Sequence, residues 1–342
     1  MRFSPPHCPR GGCPSFPAGP FRYRRKGYFV RACDGRVVQR FLCLECHRGF
    51  STQTFRLDHR LRRPELTRAL LLHFVSKVTH RQSARTIGCA RRTIDHRLRL
   101  VGRHCRLLHG DLLERAAARG GISGRFQLDE LETYEHSRRL APVTMPVLIE
   151  RCSFFVLDLR AATLPARGSL SPADRRRRDL RAGVHGTRRS GSTRAVEGSF
   201  SVLERVHAKG AVFVDTDRKR SYRSILARTF GERVCHGCHS SRIRRDRRNP
   251  LFAINHTLAM LRDGISRLVR RTWAGAKLCA RLCDHAWIWT AWRNYVRAIT
   301  NRAPKITPGM VAGVVRRKLD PAKLVAWKVF PGAIRRVPGA IE

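Results

Sequence analysis

Acidic residues are scarce in this chain. There are 25 Asp and Glu against 70 Lys and Arg, which gives a formal net charge of +45 and a sequence pI near 11.6. An arginine bias inherited from a GC-rich genome would raise the number of basic residues, but it would not by itself leave so few acidic ones. Such a surface repels itself unless anions neutralise it, and the arginine fork fits phosphate oxygens and guanine edges. The charge therefore indicates a nucleic-acid partner.

Long apolar runs are also missing. No window of about 18 apolar residues occurs, and the first residues, Met1 to Pro6, lack the apolar stretch of a secretory signal. We therefore expect no membrane segment and a cytoplasmic protein, associated with the bacterial nucleoid. The 12 cysteines would then be reduced, and paired spacings among them favour metal ligation over disulfides.

Residues 1–60 carry two such cysteine pairs, Cys8-x4-Cys13 and Cys43-x2-Cys46. Four thiolates on two tight turns suit a tetrahedral Zn²⁺, and a segment this short and polar needs a metal to fold. We predict a structural zinc ribbon; four unrelated reduced cysteines are the alternative. Three neighbouring side chains are spare ligands: His7, Cys33 and His47.

Residues 61–120 are predicted to be helical. Apolar residues at helical spacing follow Pro64, and the run from Arg81 to Leu98 has the pattern of a helix-turn-helix with Gly88 at the turn. The alternative is an ordinary helical hairpin whose arginines are only solvated. In the helix-turn-helix interpretation, five basic side chains face DNA: Arg91, Arg92, His96, Arg97 and Arg99.

Residues 121–275 contain acids at the ends of strand-like segments. Three apolar runs, 126–131, 143–150 and 153–159, precede a helix near 200–208 and a strand over 211–216. Asp129 lies in the second half of the first run, and Asp215 and Asp217 lie at the end of the last strand, two residues apart and so on one face. Carboxylates suit Mg²⁺, although capping or turn roles would also explain them. A basic stretch over 165–196 is predicted to be a mobile loop that touches phosphates, or a solvated one.

Nearly the whole chain resembles an insertion-sequence DDE transposase of the insertion-sequence-one-like kind with an N-terminal zinc ribbon. The resemblance rests on the order of several short stretches rather than on any one of them. They are the ribbon end over 39–51, the helix-turn-helix, Asp129-Glu130, Thr216-Asp217-x4-Tyr222, Asn255-x6-Arg262 with the segment 267–273, Trp292 to Tyr295, and Thr307 to Met310.

This resemblance implies an α/β protein. A ribonuclease-H-like mixed-sheet catalytic core over 121–275 would follow the ribbon and the all-α helix-turn-helix segment, and a C-terminal helix and basic tail would occupy 276–342. The implied function is to bind the terminal repeats of its own element in double-stranded DNA, as a homodimer or larger assembly. Mg²⁺-dependent strand cleavage and strand transfer would follow.

The family's functional residues carry over to particular positions. Asp129 matches the first catalytic aspartate and Asp217 the second, both as Mg²⁺ ligands, and Asp215 is placed to assist or replace Asp217. Arg262, Arg267 and Arg270 match phosphate-holding positions.

The chain departs from the family at the third acid, where Asn255 occupies the glutamate position. No glutamate occurs between Glu232 and Glu342, so Asp246 and Asp263 are the substitutes if the helix is set differently. The amide oxygen of Asn255 can coordinate Mg²⁺ but brings no charge. Three interpretations stay open. The chain is a working Asp-Asp-Asn enzyme, a decayed transposase or repressor that only binds DNA, or a structure-specific nuclease of the same fold.

One further motif, Cys235-His236-Gly237-Cys238-His239, matches the attachment pattern of c-type haem. That chemistry belongs to exported proteins, and no export signal is visible, so a second zinc site or plain strand-end cysteines are favoured over haem.

Overall fold

The structure, a computed structural model, describes residues 3–16, 21–269 and 273–328. Its buried apolar side chains form two separate clusters. The smaller one lies within the first 55 residues, and the larger one runs from Leu66 to Leu324. The chain thus has one small independent core and one large one.

The small core belongs to a three-stranded antiparallel sheet. Its strands β1 (Tyr23–Val30), β2 (Val37–Cys43) and β3 (Gly49–Ser51) lie in the order β1-β2-β3. The β1–β2 turn contains Gly35 at a positive φ of 67°, which favours glycine. Phe41, Phe50 and Phe55 pack behind the sheet beside the cysteines.

Three helices follow: α1 (Leu66–Val75), α2 (His80–Ile87) and α3 (Arg91–Ala117). Thr79 and Gln82 form a capping box that starts α2, and Gly88, in the left-handed conformation, ends it. Two helices thus meet at the turn around Gly88, where the sequence predicts a turn. The apolar faces of α1 and α3 are fully buried, but they join the large core rather than forming one of their own.

The main sheet is mixed, which confirms the α/β prediction. Its strands are β4 (Arg125–Tyr134), β5 (Pro142–Glu150), β6 (Phe155–Leu159), β7 (Ala162–Thr163), β8 (Val212–Asp217) and β9 (Val234–His239). The order is β6-β5-β4-β8-β9, with β7 paired to β5. Strand β5 is antiparallel to β4 and β6, whereas β8 is parallel to both β4 and β9.

The remaining helices connect and cover this sheet. They are α4 (Pro172–His185), α5 (Ser192–Val206), α6 (Arg220–Phe230), α7 (Phe252–Gly264), α8 (Cys279–Tyr295), α9 (Pro308–Val311) and α10 (Pro321–Ala326). Helix α3 crosses α8 closely at Gly102, where the backbone of Asp284 leaves no room for a side chain. None of the helices in the described ranges is both long and apolar enough to cross a bilayer.

Two expectations need correction. The basic stretch over 165–196 is not all loop, since Ser171 caps α4 and Pro172 occupies its first turn. In addition, β4 does not end at Asp129. It continues to Tyr134 because it pairs with β5 along its whole length, while its pairing with β8 stops at Leu128. Asp129 is therefore the first residue of β4 beyond the parallel ladder.

Candidate functional site

Four cysteine thiols meet at one point of the N-terminal sheet. The Sγ atoms of Cys8, Cys13, Cys43 and Cys46 all lie within 4.8 Å of one another. The Cys8–Cys46 and Cys13–Cys43 separations are 3.7 and 3.8 Å. A tetrahedron with Zn–S bonds of about 2.3 Å has edges of about 3.8 Å, so a single Zn²⁺ fits this donor set. The spare ligands His7, Cys33 and His47 are not part of the cluster.

The thiols differ in how readily they ionise. Burial raises the pKa of Cys8 to about 12. Burial also opposes ionisation of Cys46, but hydrogen bonding from the Arg48 backbone and from the other cysteines brings its pKa down to about 7. Metal binding at such a cluster must displace protons, so its affinity rises with pH.

Three aspartates lie on one face of the main sheet. The pairing of β4 with β8 sets Gln127 opposite Asp215, and one alternation further places Asp129 and Asp217 beside each other. Both of these carboxylates are partly exposed, whereas Asp215 is buried. The two acids predicted as Mg²⁺ ligands thus come together where the parallel strands β4 and β8 part.

The Asp129 carboxyl is held in an unfavourable setting for a negative charge. Burial and, more weakly, the neighbouring charge of Asp217 raise the pKa of Asp129 to about 6, although a hydrogen bond from the Glu130 backbone and the nearby charge of Arg245 act in the opposite direction. A cation shared by the two carboxylates would relieve this repulsion. The donor set is the hard oxygen type that Mg²⁺ takes.

Asp215 is already engaged. Arg125 donates two hydrogen bonds to its carboxylate, at 2.5 and 2.7 Å, and the His239 ring lies 3.1 Å away. Burial alone would raise the pKa of Asp215, but these partners outweigh it and the pKa lies below its usual value. In this arrangement Asp215 fixes β4, β8 and β9 relative to one another beneath Asp217.

The helix that carries Asn255 is attached to the same face. Gln127 donates to the Pro250 carbonyl at 2.6 Å and accepts from the Ile254 amide at 3.0 Å, which ties the first turn of α7 to β4 two residues before Asp129. Asn255 is half-buried in that turn. Of the two substitute acids, Asp263 is exposed and pairs with Lys77 at 3.2 Å, and Asp246 caps its own turn by accepting from the Arg248 amide.

Sequence reasoning missed the role of Glu130. Its side chain points to the opposite face from Asp129, where it is only 9% exposed and ion-paired with Lys219. Thr144, Ser192 and Tyr222 also donate to it, at 2.6 to 2.8 Å. These bonds outweigh the effect of burial and lower the pKa of Glu130. The sequence did contain a signal for this role, because two partners of Glu130, Lys219 and Tyr222, lie inside the Thr216-Asp217-x4-Tyr222 motif.

Lys219 joins the two faces. Its backbone amide donates to the Asp217 carboxylate at 3.1 Å, while its ammonium group pairs with Glu130. The start of α6 is thus held by both strands, and Asp217 is oriented by the same residue that neutralises Glu130.

The predicted DNA-binding residues differ in how exposed they are. Arg91, Arg92, His96 and Arg99 are exposed on α3. Arg97 is buried and donates to the Arg63 carbonyl at 2.9 Å, and Arg267 is largely buried, 3.2 Å from a ring nitrogen of His80. Neither of these two is placed to touch a phosphate. Arg262 is half-buried and donates to the Glu132 carbonyl, and Arg270 lies outside the described residues.

The motif Cys235 to His239 forms β9, an edge strand. Because side chains alternate along a strand, Cys235 and Cys238 point to opposite faces. They cannot both bind one haem or one metal ion from this strand. His236 is instead hydrogen-bonded through its Nε2 atom to the Thr216 hydroxyl, at 2.8 Å.

The sequence matches no protein-family model, and no curated protein matches it.

Proposed function

We propose that the protein is a DDE-type transposase, which cleaves DNA at the ends of its element and joins the cut ends to target DNA. The observation that carries the proposal is the pair Asp129 and Asp217 on adjacent parallel strands, in a chain of formal net charge +45. Paired carboxylates facing a polyanion fit metal-assisted phosphodiester chemistry.

The sheet supports this proposal. The strands β4 to β7 are followed by the helices α4 and α5, and then by β8, α6, β9 and α7. In the sheet the order is β6-β5-β4-β8-β9, with the short β7 also paired to β5 and with β5 antiparallel to its neighbours. This is the arrangement expected of a ribonuclease-H-like core. The four-cysteine cluster and the exposed face of α3 would serve DNA recognition, with Zn²⁺ as a structural ion.

Each residue of the site would have a distinct task. Mg²⁺, when bound, supplies charge stabilisation and lowers the pKa of a bound water. Asp129 and Asp217 would hold it, and Asn255 would offer a neutral amide oxygen from α7. Arg125 and Asp215 keep the strands in register, and Arg245 adds positive charge for a phosphate. Hydrolysis at the element end would free a 3′ hydroxyl. That hydroxyl would then attack a target phosphodiester, so that a new P–O bond forms while the bond to the target's own 3′ oxygen breaks.

The first test is cleavage and joining of a labelled duplex that carries the DNA ends flanking the gene, with Mg²⁺ or Mn²⁺. We expect Asp129→Ala and Asp217→Ala to abolish metal-dependent nicking, and the control Asp246→Ala to retain it. Nicking that survives both alanine variants would refute the assignment. Cutting without joined products would identify a nuclease of the same fold.

A second function, DNA binding by a decayed transposase, is favoured by one observation: Asn255 stands where an acid is expected, and Asp263 pairs with Lys77 instead. Asn255→Glu separates the two. If the natural chain is inert and Asn255→Glu cuts, the chain is a decayed enzyme that binds its ends. If the natural chain cuts, the decayed-enzyme function is refuted.

A further inference from the structure

The N-terminal sheet carries an open cleft of about 540 Å³ beside the cysteine cluster. Its walls come from the turn after Cys8, the hairpin of β1 and β2, and the segment from β3 to Arg60. This volume encloses a ligand about the size of a drug molecule, which is also the size of one or two nucleotides.

The cleft is lined by cations and by no acid. Arg10, Lys26, Arg40, Arg48 and Arg60 all line it, and all five are exposed. Five like charges around one concave surface raise the local concentration of anions.

The acids of this region are used elsewhere. Residues 1–60 contain three acids, Asp34, Glu45 and Asp58. Glu45 pairs with Arg22, and the two aspartates pair with Arg31, Arg36 and Arg56, none of which lines the cleft. In the described part of the chain, the five cleft cations therefore have no carboxylate partner, and an external anion is the group that would neutralise them.

An aromatic side chain adds a second recognition element. Phe29 lines the cleft and is 38% exposed, whereas Phe41 and Phe50 behind it are buried. A basic groove with an accessible ring is the combination that binds unpaired nucleotides, because a base stacks on the ring while its phosphates contact the cations. The bases of an intact duplex are stacked on one another and could not use Phe29 in this way.

We propose that this cleft binds a single-stranded segment of DNA, with its phosphates on the five cations and a base against Phe29. The inference rests on the proposed function for the identity of the nucleic acid as DNA. It adds a site for an unpaired strand, separate from the acidic pair and from α3.

The test measures binding of a fluorescent 12-nucleotide oligothymidine to the full-length, zinc-loaded protein by anisotropy, without magnesium. We expect Arg40→Glu with Arg48→Glu to weaken binding about tenfold or more and to lower the salt slope by about 1.4, the value for two lost phosphate contacts on a single strand. The matched control is Arg24→Glu with Arg25→Glu, an equal charge change on exposed residues of the same hairpin outside the cleft. It should weaken binding less than about threefold.

Phe29→Ala should weaken binding about tenfold, as expected for one lost stacking contact, and Phe29→Tyr should restore it. Zinc content and circular dichroism confirm that each variant is folded. Equal losses in the cleft and control pairs, an unaffected Phe29→Ala protein, or displacement of the oligomer by polyglutamate as readily as by unlabelled oligomer would each overturn the proposal.

The two proposals fail separately. If the protein binds the oligomer through the cleft but does not cut duplex DNA, the cleft assignment stands and the transposase proposal fails. If it cuts DNA while the cleft variants bind the oligomer like the natural chain, only the cleft assignment fails.

Discussion

At the residue scale, two neighbouring carboxylates have opposite environments. Asp129 faces α7 and Asp217, and its pKa is raised to about 6, whereas Glu130 faces Lys219 and Tyr222, and its pKa is lowered. The difference comes from the alternation of side chains along β4. Asp129 points to a face where burial and another carboxylate oppose its charge, and Glu130 points to a face with several hydrogen-bond donors.

Glu130→Gln should therefore destabilise the protein by about 2 kcal/mol, because it leaves the Lys219 ammonium without its ion-pair partner. It should also reduce DNA cleavage, since Lys219 orients Asp217. The control Glu132→Gln removes a carboxylate of the same strand that is 49% exposed and pairs with Arg167. It should change the free energy of unfolding by no more than about 0.5 kcal/mol. Equal effects in urea unfolding would contradict the assigned role.

His109 should make the protein less stable in acid. It is buried, donates to the Leu157 carbonyl and accepts from the Tyr295 hydroxyl, both at 2.8 Å, and burial lowers its pKa to about 4. In the unfolded chain His109 takes up a proton below about pH 6.5, whereas in the folded protein it stays neutral until about pH 4. Stability therefore falls as the pH drops from 6.5 to 4.

For His109→Gln we expect lower stability at pH 7 but a smaller decline in stability between pH 6.5 and 4. The midpoint of urea unfolding, measured at each pH, checks this. Exposed His185 provides the control, because His185→Gln should keep the slope of the natural chain. A slope unchanged in His109→Gln would show that other groups dominate.

The sequence could predict the acids but not the state of each arginine. Asp129 lies within an apolar run and Asp217 directly after one, and an acid in such a position can be recognised from its neighbours alone. Whether Arg97 or Arg267 is exposed depends on packing against distant segments, residues 63 and 80 in these two cases. No local pattern distinguishes them from Arg91 or Arg99.

At the element scale, helix and strand types were predictable while some boundaries were not. The predicted helix over 200–208 begins eight residues earlier at Ser192, and α4 was not predicted as a helix. No residue of α4 is buried, so it lacks the apolar stripe on which sequence periodicity depends. The Ser171 cap followed by Pro172 was the sequence signal that marked its start.

Gly102 controls how closely α3 and α8 approach. A Cβ atom there would lie 2.6 Å from the Asp284 carbonyl oxygen and 2.8 Å from its Cα. Because backbone atoms cannot move aside cheaply, Gly102→Ala should destabilise the protein by about 1–3 kcal/mol. Gly183→Ala in α4 is the control, since nothing lies within 4 Å and alanine favours a helix. Thermal unfolding distinguishes the two, and a neutral Gly102→Ala protein would contradict the close crossing.

At the scale of the whole molecule, the two hydrophobic cores are separate. Residues 1–60 rely on a few aromatic rings and the four cysteines, whereas the helices α1 to α3, the main sheet and the C-terminal helices share one core. The sequence predicted four parts, and the continuity of the large core could not be read from it, because long-range packing of α3 on α8 leaves no local signature.

Removal of zinc by a chelator should therefore unfold only the N-terminal sheet. We expect loss of phenylalanine and tyrosine signals in near-ultraviolet circular dichroism and loss of DNA binding by that region. Ellipticity at 222 nm should hardly change, because α1 to α10 all lie beyond the small core. Zinc added back should restore both signals, and a cooperative loss of helix on chelation would contradict two independent cores.

Helix α3 has 27 residues, which corresponds to a rod of about 40 Å. Its first turn carries the exposed side chains of Arg91 and Arg92. Its C-terminal half is attached to the main sheet, since His109 donates to the Leu157 carbonyl of β6. A duplex bound at the start of α3 would therefore lie at a constant distance from Asp129 and Asp217. Cleavage would then fall at one fixed number of base pairs from the bound sequence.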